Sequence, residues 1–178
     1  NKGWEVSLNW DIINKKNFGL SFNGNIGFNK NKVISLGSLN EYAAASNWAS
    51  TEIGSDYVVR PGSPIGQIYG YVCDGRYEVE DFEGYDAANN KWILKAGIVD
   101  DSEVIGEKML RPGALKLKNV DGSEDGKVTA ADRTIIGDTN PVASGGFGLN
   151  ARVYNFDIAA SFTYSIGNDV YNANKIEY

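Results

Sequence analysis

The chain has 178 residues and a net charge of −6, from 17 basic and 23 acidic side chains. This acidic balance excludes a nucleic-acid partner, because binding phosphates requires a basic surface. The sequence contains no histidine, which excludes Ser–His and Cys–His nucleophile pairs, and its one cysteine excludes an internal disulfide. The 21 glycines and 10 tyrosines, with only 4 prolines, favour β-structure over helix. Any metal is therefore expected to be a hard cation bound by oxygen.

Two runs near the amino-terminal end alternate between apolar and polar side chains. The first extends from Trp4 to Ile12 and the second from Phe18 to Asn29. A β-strand points successive side chains to opposite faces, so each run predicts a strand with one apolar and one polar face. The short polar segment 14–17 between the two runs predicts a hairpin turn.

The same unit recurs near the carboxyl-terminal end, in residues 147–153 and 156–166, with a tight turn around Asn155. The length of these runs approaches the roughly 9–11 residues that a tilted strand needs to cross a bilayer, and aromatic residues lie near their ends. They predict antiparallel strands in the wall of a transmembrane β-barrel, and a soluble antiparallel sheet is the alternative. The residues expected to face lipid are Trp4, Val6, Leu8, Phe22, Leu149, Phe162 and Tyr164. The residues expected to face the lumen are Ser7, Asn9, Ser21, Asn23, Asn150 and Ser161.

Four strands cannot close a membrane barrel, since the smallest have about eight, and open sheet edges are not tolerated in lipid. Either several chains assemble or the chain is part of a larger barrel, and the absence of a signal peptide favours the second. Short turns of bacterial outer-membrane barrels face the periplasm, so one long external excursion is expected between the hairpins. The predicted division is a barrel hairpin at 1–29, an extracellular loop subdomain at 30–144, a second barrel hairpin at 145–166 and the start of the next extracellular loop at 167–178.

Within the excursion, residues 121–132 have the spacing of a twelve-residue calcium-binding loop of EF-hand type; we call this segment the acidic loop. A hard divalent cation takes about six to eight oxygen ligands, and this spacing wraps them around one point. Gly126 stands where the loop turns sharply. The alternative is a polar turn whose acidic residues are only solvated. The candidate ligands for Ca²⁺ are Asp121, Ser123, Asp125, the Lys127 carbonyl, Thr129 through a water, and Asp132.

Four segments carry a family resemblance, and they follow one another along most of the chain. They are GSPIGQIYGYV at 62–72, RPGALKLK at 111–118, the acidic loop followed by RTIIGDTNP up to residue 141, and GNDVYN at 167–172. Together they resemble the corresponding segments of SusC/RagA-type TonB-dependent transporters. Ala114, Ser123 and Val142 depart from the residues common in that family.

The resemblance implies an all-β fold in which the strands form part of an outer-membrane barrel of about 22 strands with a plugged lumen. It also implies a place in the bacterial outer membrane, in contact with lipid, and import of glycans or peptides together with a SusD-like surface lipoprotein. Import in this family is driven through TonB, which contacts a plug region that is absent from this chain.

Two other functions compete with transport as interpretations of the sequence. The first is a soluble carbohydrate-binding β-domain whose aromatic residues stack on sugar rings. The second is an enzyme that uses an acid pair such as Asp100–Asp101 or Glu78–Glu80. No nucleophile and base are spaced as a catalytic pair, so no enzymatic activity is expected. The candidates for sugar stacking are Tyr57, Tyr69, Tyr71, Tyr77, Phe82, Tyr85 and Trp92.

Overall fold

The computed structural model describes residues 1–46 and 54–172. The fold is all-β and built on antiparallel sheets, which confirms the predicted class. Among the described residues, no helix is long and apolar enough to cross a membrane. The strands are β1 (Lys2–Lys15), β2 (Phe18–Lys30), β3 (Tyr42–Ala44), β4 (Tyr57–Val59), β5 (Gln67–Gly70), β6 (Cys73–Arg76), β7 (Phe82–Asp86), β8 (Lys91–Leu94), β9 (Leu115–Leu117), β10 (Thr134–Asp138), β11 (Ala143–Val153) and β12 (Phe156–Ile166). One short helix, α1 (Ser102–Ile105), and 3₁₀ turns at Val79–Asp81, Glu107–Met109 and Ala130–Asp132 complete the described elements.

The four long strands form one sheet in the order β1-β2-β11-β12, which we call the wall sheet. They contain 14, 13, 11 and 11 residues, more than the usual strand of about 5 to 6 residues. The β2–β11 pair joins two hairpins that are far apart in sequence. The two hairpin turns also meet, because the Tyr154 N–H donates to the Asn17 carbonyl at 2.9 Å.

The first strand is not perfectly alternating. The sequence pattern placed Ile12 on the apolar face after Trp10, but a β-bulge lies between Asp11 and Ile13. The strand then resumes with Ile13 opposite Leu20. Ile13, and not Ile12, therefore lies opposite an apolar residue of β2. A bulge inserts one extra residue and shifts every later side chain by one position. The apolar pattern up to Trp10 is unaffected.

The shorter strands form three smaller sheets, with the orders β10-β5-β4-β3, β6-β9 and β7-β8. The chain separates into two compact units, unit 1 from residues 1–68 and 137–178 and unit 2 from residues 69–136. Unit 2 has its own apolar core of Tyr77, Phe82 and Leu110. Side chains that pack against this core are Trp92, Leu94, Ile98 and Ala114. The predicted division at 29/30, 144/145 and 166/167 stays a prediction.

Candidate functional site: the wall sheet and the acidic loop

The strand register gathers the apolar side chains of the wall sheet on one face. Trp4 lies opposite Phe28, Trp10 opposite Phe22, and Phe22 opposite Leu149. The rings of Trp4 and Phe28 stack with centroids 4.4 Å apart. These side chains are not covered by the rest of the described chain, since Trp4 is 62% exposed and Leu8 is 53% exposed. A contiguous exposed apolar surface of this kind marks a site of contact with a partner or a membrane.

The opposite face of the wall sheet is polar, and Asn25 connects three of its strands. Its side-chain amide donates to Glu5 Oε1 at 3.0 Å, and its side-chain oxygen accepts from the Gly146 N–H at 2.8 Å. Asn23 follows on the same face and lies opposite Asn9 and Gly148. This face therefore offers hydrogen-bonding groups with little net charge.

Tyr164 crosses the wall sheet above a glycine. Its hydroxyl donates to the main-chain oxygen of Asn25 at 3.0 Å. In the register, Gly145 lies opposite Tyr164 on β12 and opposite Ile26, the neighbour of Asn25, on β2. A Cβ atom on Gly145 would lie 2.1 Å from the Asn25 oxygen and 2.8 Å from the Tyr164 hydroxyl. The missing side chain at Gly145 is what allows this contact.

Two of the segments that carry the family resemblance meet around Gly66. This glycine has a φ of +91°, and its carbonyl accepts from both the N–H and the hydroxyl of Thr139, at 3.0 and 2.9 Å. A Cβ atom on Gly66 would meet the Thr139 hydroxyl oxygen at 2.4 Å. Asn140 adds a hydrogen bond from its amide to the Ile65 carbonyl at 2.5 Å. The glycine is therefore required by both its backbone conformation and the close approach of residues 139–140.

The last motif is anchored to β10 by a reciprocal pair of hydrogen bonds. The Asp138 N–H donates to Asp169 Oδ2, and the Asp169 N–H donates to the Asp138 carbonyl, both at 2.8 Å. Sequence reasoning assigned no role to Asp169 or to Asn140. Their signal was present, because both lie inside the segments that carry the resemblance, but single-sequence periodicity does not reveal contacts between distant loops.

Arg133, directly after the acidic loop, lies against two tyrosines of unit 2. Its guanidinium is 4.6 Å from the ring centroid of Tyr69 and 6.0 Å from that of Tyr71, and it donates to the Tyr69 carbonyl at 3.2 Å. Stacking of a guanidinium on an aromatic face is favourable. Burial raises the pKa of the Tyr71 hydroxyl, and the nearby Arg133 charge opposes that shift. This contact holds the end of the acidic loop against the segment 69–72.

The acidic loop is closed by side-chain-to-backbone hydrogen bonds. Asp121 accepts from the Ser123 N–H at 2.8 Å, and Asp125 accepts from the Lys127 N–H at 3.0 Å and from the Ser123 hydroxyl at 2.7 Å. The hydrogen bonds from the Lys127 N–H and from Ser123 lower the pKa of Asp125. Gly126 takes a φ of +67° at the turn, as expected.

Asp132 is buried and accepts three backbone hydrogen bonds. Its two oxygens accept from the N–H groups of Val120 at 2.6 Å, Asp121 at 3.1 Å and Thr129 at 2.7 Å. Burial acts to raise its pKa, and these hydrogen bonds overcome that effect and lower it. Asp132 therefore ties the two ends of the acidic loop together, a role that its position at the end of the motif did not predict.

The amide of Asn119 lies inside the acidic loop and meets two of the predicted ligand groups. Its nitrogen donates to the Ser123 hydroxyl at 3.1 Å and to the Lys127 carbonyl at 3.2 Å. It also donates to the Ser123 carbonyl at 3.1 Å. Among the described residues, no group of three or more acidic or cysteine side chains is gathered as a metal site. The oxygens of residues 123 and 127 thus converge on one point, while the carboxylates of Asp121, Asp125 and Asp132 are engaged by backbone N–H groups.

The aromatic residues proposed for sugar stacking divide by burial. Tyr77 is 1% exposed and Phe82 is 4% exposed, so both belong to the core of unit 2 and neither can stack on a ligand. Trp92 packs on Phe82 with ring centroids 5.5 Å apart. Tyr85 is half exposed and lies against Trp92. Tyr77, Phe82 and Trp92 are therefore engaged in the packing of unit 2, while Tyr85 keeps an exposed surface.

The chain is similar over nearly its whole length to curated receptors. The TonB-dependent receptor P3 of Formosa agariphila is 31% identical over an alignment of 178 positions, which covers 99% of this chain and 16% of that protein. The TonB-dependent receptor P39 of the same organism is 28% identical over an alignment of 188 positions, which covers 96% of this chain and 17% of that protein. No family model matches the chain. The chain thus spans about one sixth of the length of the curated relatives it matches.

Two solved structures share the fold. The structure of the RagAB peptide transporter matches 93% of this chain and 15% of its own, with a TM-score of 0.54 and 20% identity. The RagAB peptide importer in the closed-closed state matches with the same TM-score and 21% identity. The names of these proteins describe receptors and transporters, in agreement with the expectation of no enzymatic activity. The resemblance read from the four motifs is confirmed, since the chain is similar to TonB-dependent receptors along nearly its whole length and shares the fold of the matching part of RagAB.

Proposed function

We propose that the wall sheet is part of the barrel of a TonB-dependent transporter in the bacterial outer membrane, with unit 2 inside its large external loop. The observation that carries the proposal is the two-faced wall sheet. Its apolar face leaves Trp4, Leu8 and Phe162 about half exposed or more, and its other face is lined by asparagine, serine and glycine. Outer-membrane barrels have the same arrangement, with apolar residues toward lipid and polar residues toward the lumen.

The edges of the wall sheet support this proposal. In the order β1-β2-β11-β12, the outer strands β1 and β12 each have one edge without a partner strand in the described chain. Unpaired backbone groups in lipid each cost several kcal/mol. Further strands must therefore continue the wall on both sides, as in a barrel of about 22 strands.

The wall proposal is tested by placing one charge on either face at the same depth. We expect Leu8→Arg to destabilise the folded barrel by about 2–4 kcal/mol when Leu8 lies near the middle of the bilayer, because a charge there faces lipid. Asn9→Arg should cost much less, since its side chain enters the lumen. The free energies of unfolding of the two variants in lipid vesicles provide the measurement. Equal costs at positions 8 and 9 would contradict the membrane wall.

The substrate and partner follow from the same assignment. We infer that the whole transporter imports oligopeptides or glycans together with a SusD-like surface lipoprotein, driven by TonB through a plug region. The RagAB peptide transporter shares the fold. This likeness favours a transporter of peptides over the alternative function, a soluble carbohydrate-binding domain. Copurification of a lipoprotein with the full-length protein tests the partner, and its absence from gently solubilised membranes would contradict it.

We also propose that the acidic loop binds Ca²⁺ through Asp121, Ser123, Asp125, the Lys127 carbonyl, Thr129 and Asp132. The support is the convergence of the residue 123 and 127 oxygens on the Asn119 amide nitrogen, a partial positive charge that a cation could replace. Bound Ca²⁺ would supply structural cross-linking of the loop. The affinity should be modest, about 10⁻⁴ to 10⁻³ M as in extracellular modules.

Removal of calcium tests this site. A chelator should accelerate amide exchange in residues 118–137 and leave the wall strands unchanged, because the cation would stabilise only the loop. Asp125→Ala should abolish this sensitivity. Glu124→Ala is the matched control, since it removes a neighbouring carboxylate that is not among the proposed ligands. Identical exchange of the wild-type loop with and without calcium would show that the motif is only a turn.

A further inference from the structure

A basic cluster of Lys2, Lys30 and Lys32 lies at the end of the wall sheet that is opposite to its tight turns. Lys2 and Lys30 are direct partners in the register of β1 and β2. Lys2 precedes Trp4 by two residues and Lys30 follows Phe28 by two, so both lysines share the apolar face with that stacked pair. Like charges directly opposite each other destabilise an antiparallel pair. The sheet therefore carries a charge repulsion at this position that its own strands do not relieve.

The rest of the described chain does not relieve the repulsion either. Among residues 1–46 and 54–172, the three ammonium groups form neither an ion pair nor a hydrogen bond, and the two ion pairs present are Arg60–Glu41 and Lys116–Asp81. Glu5, the nearest acid along β1, lies on the polar face and bonds to Asn25. The basic cluster thus lacks a counter-ion from this part of the protein.

The three lysines line a single cavity of about 1200 Å³ within unit 1. Its lining also includes the aromatic pair Trp4 and Phe28. The one carboxylate in the lining is Asp138, which already accepts from the N–H and the side-chain amide of Asn140 at 2.9 and 2.6 Å. The cavity therefore combines three ammonium groups, four asparagines, one engaged carboxylate and an apolar wall.

We propose that the basic cluster binds the anionic, phosphorylated headgroup of a membrane lipid, with the acyl chains along the apolar face beside Trp4 and Phe28. The inference rests on the proposed membrane wall. Aromatic residues of outer-membrane barrels mark the level of the membrane interface. Lys2 lies two residues beyond Trp4, about 7 Å at roughly 3.4 Å per residue, which is the depth of the headgroups.

Two features favour a lipid over a transported anion as the ligand: the side chains that line the cavity, and the position of the basic cluster on the apolar face of the wall sheet. A substrate would pass along the polar face of the wall sheet, where Glu5 and Asn25 lie, and not along the apolar face. An anionic lipid can contact both parts of the cavity, because its phosphate would bind the lysine ammonium groups and its acyl chains would pack against Trp4 and Phe28. Each lysine near an anionic surface contributes favourably to such binding.

The test uses the full-length protein purified in detergent and the double variant Lys2→Gln/Lys30→Gln. The probes are diphosphoryl lipid A, phosphatidylcholine and inorganic phosphate, each added to the same micelles. The matched control is Lys15→Gln/Lys16→Gln, which removes two positive charges at the other end of the first hairpin. The amount of bound lipid is read by native mass spectrometry, and stability is read from the midpoint of thermal unfolding.

We expect the order of stability of the wild type and the double variant to depend on whether lipid A is present. Without lipid, the double variant should be at least as stable as the wild type, because the opposed charges are gone. With lipid A, the wild type and the control should gain stability and retain at least about fivefold more lipid than the double variant. Phosphatidylcholine and inorganic phosphate should give no such difference.

Three results would overturn the inference. Equal retention of lipid A by the wild type and the double variant places the lipid contact elsewhere, while the barrel itself remains inserted. A gain in stability with inorganic phosphate alone identifies a small-anion site. If the wild-type protein is soluble without detergent and binds none of the lipids, the proposed membrane wall is contradicted together with the lipid site. The first two results, in contrast, contradict only the lipid site.

Discussion

Gly145 is the residue at which the wall sheet has least tolerance for change. A methyl group there would lie 2.1 Å from the Asn25 oxygen and would displace the Tyr164 hydroxyl from its hydrogen bond. We expect Gly145→Ala to reduce the free energy of unfolding by about 1–3 kcal/mol, the usual cost of overpacking. Gly27→Ala is the control, because the nearest atom to its Cβ would be 3.7 Å away. Urea unfolding of the folded protein in micelles measures both, and equal losses would mean that β2 and β11 separate at little cost.

Asp101 gives unit 2 a dependence on pH. The side chain is fully buried, with one oxygen accepting from the Leu117 N–H at 2.9 Å and the other without a hydrogen-bond partner. Burial raises the pKa of its carboxyl, which opposes ionisation in the folded state. The pKa of the Asp101 carboxyl in the folded state therefore lies above its value in the unfolded chain, and the unfolded value is near 3.8. The stability linked to this group is complete below that value and is lost as pH rises through the folded pKa.

We expect amide protection in residues 69–136, corrected for the intrinsic pH dependence of exchange, to decline as pH rises above about 4. Asp101→Asn should flatten this decline, because the uncharged amide has no ionised form to bury. Glu83→Gln is the control in the same unit and should keep the wild-type profile, because the Glu83 side chain is exposed. A profile for Asp101→Asn that matches the wild type would assign the pH dependence to another group.

The long strands are the elements that the sequence predicted best. Alternation over residues 4–12, 18–29 and 156–166 located β1, β2 and β12 to within about three residues, because one face of each is apolar throughout. The bulge at Ile12 was not predicted, because either of the two consecutive isoleucines, Ile12 and Ile13, can continue the apolar pattern. The prediction for β11 began at Phe147, whereas the strand begins at Ala143, because residues 143–146 are too small to show alternation.

The short strands and the acidic loop were harder to predict. Strands of 3 to 5 residues such as β4 and β7 are too brief for a period to appear. In the acidic loop, the spacing correctly located the turn at Gly126, but it carried no information on Asn119, which lies outside the motif and fills the loop. Tyr77 and Phe82 could be read as exposed aromatics because their burial depends on contacts with residues up to Leu110.

The two edges of the wall sheet that have no partner strand among the described residues determine how the chain behaves alone. Its apolar face and open edges both require partners that water does not provide. We expect the separately produced chain to associate in aqueous buffer and to dissociate into monomers in detergent. Size-exclusion chromatography with light scattering distinguishes the two states. A water-soluble monomer without detergent would favour the soluble carbohydrate-binding alternative.

The hydrogen bond between the two hairpin turns, from Tyr154 to Asn17, has a consequence for the evolution of the excursion. Once the turns meet, the residues between Lys30 and Ala143 form a closed loop whose ends are fixed by the wall sheet. The entropy of closing a loop grows only with the logarithm of its length, so doubling the excursion costs about 0.6 kcal/mol. Insertions and deletions in unit 2 should therefore cost the wall sheet little, so this part of the chain can change in length while the wall strands keep the same register.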